Sequence, residues 1–131
     1  MKERLKKEVG KSFQVLVLLG GVFDLLLQWF FRHIGVGIVN NGVSFGAFSG
    51  VNLIFLFVIW TGLWWLWMGR GKSRGEGLSI WLMIVGGGVN IISRLFFGGV
   101  WDYLKIPILG LWVNFSDIMI TSGVILYIFK K

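Results

Sequence analysis

Three aspartates stand where a carboxylate is costly. In this 131-residue chain Asp24 lies inside an apolar run, Asp102 just beyond another and Asp117 about one turn into a third, whereas Glu3, Glu8 and Glu76 all sit in basic, hydrophilic segments. An ionisable group at membrane depth costs about 2.5–3.5 kcal/mol on insertion scales, which makes each Asp a functional candidate. A helix cap or an interhelical pair is the competing role for any one of them alone. Two neighbouring carboxyl groups cannot easily both ionise, so one keeps a proton and acts as acid while the other activates water as base. That is aspartyl hydrolysis of a peptide bond, and it needs no metal and no cofactor. Asp102 and Asp117 are the candidate pair because both flank one layer, with Asp24 orienting or supporting them. The chain has no Cys and one His, His33, so thiolate chemistry, disulfides and the usual transition-metal sites lack ligands.

Polar neighbours converge on the same level. Asn90 and Arg94 are four apart on one helical face, Asn114 and Asp117 three apart, and Asp24 and Gln28 four apart. Each set falls at the outer end of its apolar run, and the loop with Asn40 and Gly42 enters the same layer. A merely solvated rim does not require this convergence.

The elements that must carry these residues are membrane helices. Hydrophobic residues make up 56% of the chain and charged ones 15%, and the mean hydropathy is +0.79. Apolar runs at 12–32, 51–69, 78–97 and 113–129 allow four crossings at about 20 residues each. Lys2, Arg4, Lys6, Lys7 and Lys11, then Arg70, Lys72 and Arg74, then Lys130 and Lys131, together with the three Glu residues, account for the whole net charge of +7. The positive-inside rule places these segments, and so both termini, on the cytoplasmic face, and no nucleic acid partner is needed to explain the charge. Segments 33–50 and 98–112 are then external. Residues 1–23 have the basic start and apolar centre of a signal peptide, but no small-residue cleavage site follows, so they read as an uncleaved first helix.

Smaller signals read as structural. Gly20 and Gly21, and Gly86 to Gly88, permit close helix approach. Trp60, Trp64, Trp65 and Trp67 form an interfacial belt. The alternation over 34–39 followed by Asn40-Asn41-Gly42 predicts a short strand and turn, a small surface hairpin, and 98–112 with Pro107 predicts an interfacial segment. Arg32 and His33 end the first helix and snorkel outward. The expected architecture is one integral membrane domain over 1–131, all-α, with four transmembrane helices.

These residues also fall into an order that resembles signal peptidase II, the lipoprotein signal peptidase of bacteria, from about residue 20 to the C-terminus. Asp24 stands where that family has the Asp of Asp-Gln-x-x-Lys, and Asn40-Asn41-Gly42-Val43-Ser44-Phe45-Gly46 resembles its Asn-x-Gly-x-x-Phe-Gly. The run Gly87 to Arg94 resembles a glycine-rich stretch ending Asn-x-x-Asp-Arg. Val100-Trp101-Asp102-Tyr103 is similar to Val-Val-Asp-Phe, and Asn114-Phe115-Ser116-Asp117 to Asn-x-Ala-Asp. Three departures stand out: Gln28 replaces the Lys, Ser93 the Asp before Arg94, and Ser116 the Ala. Loss of that acid leaves the Arg94 guanidinium with fewer partners unless Asp102 or Asp117 takes its place.

The resemblance implies a catalytic dyad of Asp102 and Asp117, with Asp24, Asn40, Gly42, Asn90, Arg94 and Asn114 positioning the substrate or the dyad. It further implies a small extracytoplasmic β-cradle, a multi-pass place in the bacterial inner membrane and an active site near its outer face. The substrate would be a prolipoprotein whose Cys carries diacylglycerol, cut on the N-terminal side of that Cys; membrane lipids and cyclic-peptide inhibitors of the family would be further partners. The competing reading is an inactive relative, or an unrelated four-helix protein, that binds a lipidated or helical partner without cutting it. A proton or ion pathway is disfavoured because the acids gather at one end.

Overall fold

A computed structural model describes residues 1–41, 53–69 and 74–130, so Gly42 to Gly46 of the loop motif and the basic residues Arg70 and Lys72 lie outside the described residues. Its chemistry is turned inside out relative to a water-soluble domain. Trp65, Phe96 and Phe129 are 73%, 77% and 75% exposed, while Asp24, Asn114 and Ser116 are fully buried. An apolar exterior around a polar interior suits a hydrocarbon solvent, which rewards no helix for hiding its Leu side chains.

The described elements run in the order α1 (Lys2–Ile34), β1 (Ile38–Asn40), α2 (Leu53–Met68), α3 (Arg74–Phe97), β2 (Val100–Asp102), β3 (Leu104–Ile106), β4 (Leu111–Val113) and α4 (Phe115–Ile128). The described residues are mostly helical, with two small antiparallel sheets among them. Helix α1 starts ten residues earlier than the apolar run predicts, and its 33 residues reach roughly 50 Å at 1.5 Å each. The basic segment thus continues the helix instead of leading into it. Helices α1 and α3 are long and apolar enough to cross a bilayer. By contrast α2, with 16 residues, and α4, with 14, are shorter apolar helices.

Helix α3 sits at the centre because its small side chains admit its neighbours. A Cβ on Gly86 would lie 2.7 Å from the Ser116 carbonyl oxygen of α4, and one on Gly21 of α1 would lie 2.7 Å from Val85. On its third side α3 meets tryptophans: Trp60 Nε1 donates to the Ile84 carbonyl at 2.8 Å, and Trp64 and Trp67 contact Trp81. The sequence predicts those indoles as an interfacial belt; only part of the set, such as Trp65, faces outward, and the rest pack α2 onto α3.

The outer end is organised by pairing remote in sequence. Helix α1 stops at Gly35, whose φ of 72° lets its N–H and that of Val36 donate back to the carbonyls of Arg32 and Phe31, the two hydrogen bonds of a Schellman motif. The chain emerges extended as β1 and pairs antiparallel with β2, Ile38 opposite Asp102 and Asn40 opposite Val100. The described partner of β1 thus comes from the 98–112 segment, and the return strand of the hairpin expected after Asn40-Asn41-Gly42 lies outside the described residues. That segment in turn is not a plain interfacial stretch, since β3 and β4 pair antiparallel around Pro107 and Gly110, the latter at φ 63°.

Candidate active site

Asp117 owes its position to the way α4 begins. Asn114 is the N-cap, its Oδ1 accepting the Asp117 N–H at 2.8 Å, while Asp117 Oδ2 accepts the Asn114 N–H at 3.3 Å. This reciprocal capping box fixes the Asp117 side chain against the first turn. Its other oxygen accepts from Asn90 Nδ2 of α3 at 3.0 Å.

Asp102 ends β2, and its side chain lies on the face of the sheet that also carries Asn40. The two are diagonal neighbours across the strands, and Asn40 Nδ2 donates to Asp102 Oδ2 at 3.0 Å. Asp102 Oδ1 accepts from Asn114 Nδ2 at 3.1 Å, and the same amide donates to Asn90 Oδ1 at 3.2 Å. Asp102 and Asp117 are therefore joined through Asn114 and Asn90, two carboxyl groups from different elements within one buried polar cluster. Burial, and next the nearby Asp117 charge, push the Asp102 carboxyl up to about 7, against opposing effects of Asn40, Arg94 and Asn114. Such a group changes protonation near neutral pH.

Arg94 lies in the last turn of α3, its Nη1 donating to the Asn90 carbonyl at 3.1 Å, with its positive charge acting on Asp102. Asn40, Asn90, Arg94 and Asn114 thus gather as the spacing suggests, and Gly42 lies outside the described residues.

Asp24 takes a different place. It accepts from the N–H groups of Phe115 and Ser116, each at 3.2 Å, so its carboxylate sits at the N-terminus of α4, where the helix offers unpaired donors and a partial positive charge. Ser116 Oγ at 2.6 Å, Gln28 Nε2 at 2.9 Å and the Tyr103 hydroxyl also donate to it. The Tyr103 ring stacks on Phe31 with centroids 4.8 Å apart. Burial, and after it the adjoining Asp24, hold the Tyr103 phenol above its ordinary range, so it remains a donor.

Sequence reasoning gave Tyr103 and Ser116 no part in this cluster. The available signal was the hydroxyl each carries where the resembling motifs have Phe and Ala.

Apolar space borders the cluster. A cavity of about 310 Å³ between the β3–β4 pair and α4 is lined by Ile106, Leu111, Val113 and Ile118 and reaches Asp117. Another of about 260 Å³ between α2, α3 and α4 has Asn90 and Arg94 among otherwise apolar walls such as Leu63 and Ile120. Together these features combine two approximated carboxyl groups, one of them titrating near neutrality, with apolar approaches from the side.

Residues 30–131 match the family model for signal peptidase (SPase) II. A lipoprotein signal peptidase of Nitrobacter hamburgensis is 32% identical over 122 residues, covering 83% of this chain and 68% of that protein. One from Anaplasma phagocytophilum is 33% identical over 98 residues, 68% of this chain and 62% of the relative. The chain thus spans about two thirds or less of the length of these relatives. A solved bacterial membrane enzyme, 24% identical, superposes with a TM-score of 0.74 over 92% of this chain and 85% of its own. That likeness speaks for the fold.

Proposed function

The chain belongs to the signal peptidase II family, and from that premise we propose that it is an aspartic endopeptidase that removes signal peptides from diacylglyceryl-modified prolipoproteins, cutting on the N-terminal side of the lipidated Cys. The observation that carries this reading is the linkage of Asp102 to Asp117 through Asn114 and Asn90. In the proposed reaction Asp102 holds the proton and Asp117 is ionised. Asp117 takes a proton from water as the water oxygen attacks the scissile carbonyl carbon, and Asp102 gives its proton to the carbonyl oxygen. The resulting gem-diol then collapses: the C–N bond breaks, the Asp117 proton passes to the leaving amine, and a hydroxyl proton returns to Asp102. Asn40, Asn90 and Asn114 keep both carboxyl groups in place throughout, and Arg94 tempers the charge.

In this reading all four helices cross a bacterial inner membrane, with both termini cytoplasmic and the two sheets forming an outer cradle. Supporting it, the Lys130–Glu76 ion pair at 2.9 Å joins the end of α4 to the start of α3, opposite the aspartate end of both. Helices of 16 and 14 residues span roughly 24 and 21 Å, less than the ~30 Å hydrocarbon layer, a mismatch that local thinning of the bilayer or flanking residues would take up. The apolar cavity beside Asp117 offers the signal peptide and acyl chains a lateral approach.

The test is cleavage of a diacylglyceryl-modified lipobox peptide by the purified protein, with and without a cyclic-peptide inhibitor of the family. Turnover that the inhibitor abolishes is expected, and binding without turnover would replace this reading with that of a non-cutting partner protein.

A further inference from the structure

Four of the positions at which this chain departs from the family motifs share one hydrogen-bonded cluster around Asp24, whereas Leu25, where the motif has Gln, has no part in it. Ser93 Oγ donates to Gln28 Oε1 at 2.9 Å, Gln28 Nε2 donates to Asp24 Oδ2 at 2.9 Å, and the hydroxyls of Tyr103 and Ser116 both donate to Asp24. Gln28 stands for a Lys, Ser93 for an Asp, Tyr103 for a Phe and Ser116 for an Ala, and Asp24, Ser93 and Ser116 are wholly buried, with Gln28 only 3% exposed. Exchanging Lys for Gln removes one positive charge and exchanging Asp for Ser removes one negative charge, so the two changes together leave the net charge of the cluster unaltered. Losing either charge alone would leave a buried ion uncompensated, which is far more costly than losing both.

We infer that Gln28, Ser93, Tyr103 and Ser116 form one positioning unit that holds Asp24 with neutral donors. Its leverage on the reaction follows from two backbone contacts. Asp24 receives the N–H groups of Phe115 and Ser116, at the start of the helix that carries Asp117. Gln28 Oε1 receives the N–H of Trp101 at 3.3 Å, one residue before Asp102. The unit therefore grips the chain beside each half of the dyad. Without the ammonium, the added hydroxyls supply donors that the Asp24 carboxylate still requires, because a buried anion is tolerated only when its lone pairs are filled.

The inference rests on the peptidase reading for its effect on rate, but its coupling has a separate readout. Ser93→Asp alone places a second carboxylate beside Gln28 and Asp24, and is expected to lower both the thermal unfolding midpoint in detergent and kcat. Adding Gln28→Lys supplies the missing cation and is expected to restore the midpoint and to raise kcat by about tenfold over Ser93→Asp, the scale of coupling seen between contacting residues. Ser116→Ala and Tyr103→Phe are expected to reduce kcat more than they alter KM, and to cost less in the Gln28→Lys, Ser93→Asp background. Independent, additive losses in the Ser93→Asp and Gln28→Lys cycle would overturn the inference. So would Ser116→Ala costing as much in that background as in the original chain. If the unmodified protein cleaves nothing, the peptidase reading fails, while the unfolding midpoints of the same variants still decide the coupling.

Discussion

Asn114 Nδ2 lies 3.1 Å from Asp102 Oδ1, and through this one amide the cap of helix α4 becomes a strut between two carboxyl groups. Replacing Asn114 with Ala removes the cap, at about 1 kcal/mol of stability, along with the donor to Asp102. Asn114→Asp keeps the cap and sets a carboxylate against Asp102. The uncompensated buried charge should bring its unfolding midpoint at neutral pH to or below that of Asn114→Ala, with a cleavage rate as low or lower. Calorimetry or dye-based unfolding in detergent, paired with the peptide assay, checks this.

The raised carboxyl of Asp102 gives the pH response a definite sign. Its folded value of about 7 lies above the ordinary 3.8, so between these values the folded protein binds more protons than the unfolded one. Stability from this group is greatest below about 4 and falls as pH rises through the window to about 7. With Asp102 as the proton donor, kcat/KM should also fall as pH climbs through 7. Asp102→Asn should flatten the dependence of the unfolding midpoint over that range, and an unchanged slope would refute the assignment.

Arg94 opposes the rise of the Asp102 carboxyl. Arg94→Ala should therefore move the falling limb of the pH–rate profile to higher pH and lower the maximal rate by about tenfold, within the range for a charged group that aids positioning. A profile that stays in place would leave Arg94 as an interfacial anchor only.

Gly86 sets the distance between α3 and α4. Because a Cβ there would lie 2.7 Å from the Ser116 carbonyl and 2.8 Å from Ile120, Gly86→Ala should destabilise the protein by about 1–3 kcal/mol, as overpacked sites do. Since Ser116 begins the helix with Asp117, activity should fall below what the unfolding midpoint alone accounts for. Gly62, with nothing within 4 Å of an added Cβ, is the matched control.

What could be read in the chain itself depended on local rules. The burial of Asp24, Asp102 and Asp117 followed from their place in apolar surroundings, and the pairing of Asn114 with Asp117 from helical spacing. The partner of β1 did not, because Ile38 and Asp102 are joined by a pairing across most of the chain and the Asn40-Asn41-Gly42 sequence is equally suited to a local turn. Asp24 as a cap for α4 was hidden for the same reason: capping signatures are read within a few residues, and this carboxylate reaches a helix that starts at residue 115. The packing of Trp60 was hidden differently, since composition marks an indole for the interface while its seat on α3 is decided by the small residues opposite, Gly87 and Gly88.

The central claim is that Asp102 and Asp117 work as one acid–base pair. The most direct test is the cleavage rate of a diacylglyceryl-modified lipobox peptide by purified Asp102→Asn, Asp117→Asn and the double variant, each shown to be folded by its unfolding transition. Each single change should abolish turnover, with a loss of at least about a thousandfold, and the double change should be no worse than either, as for residues acting as a unit. Near-normal cleavage by a folded single variant, or losses that multiply in the double, would contradict it.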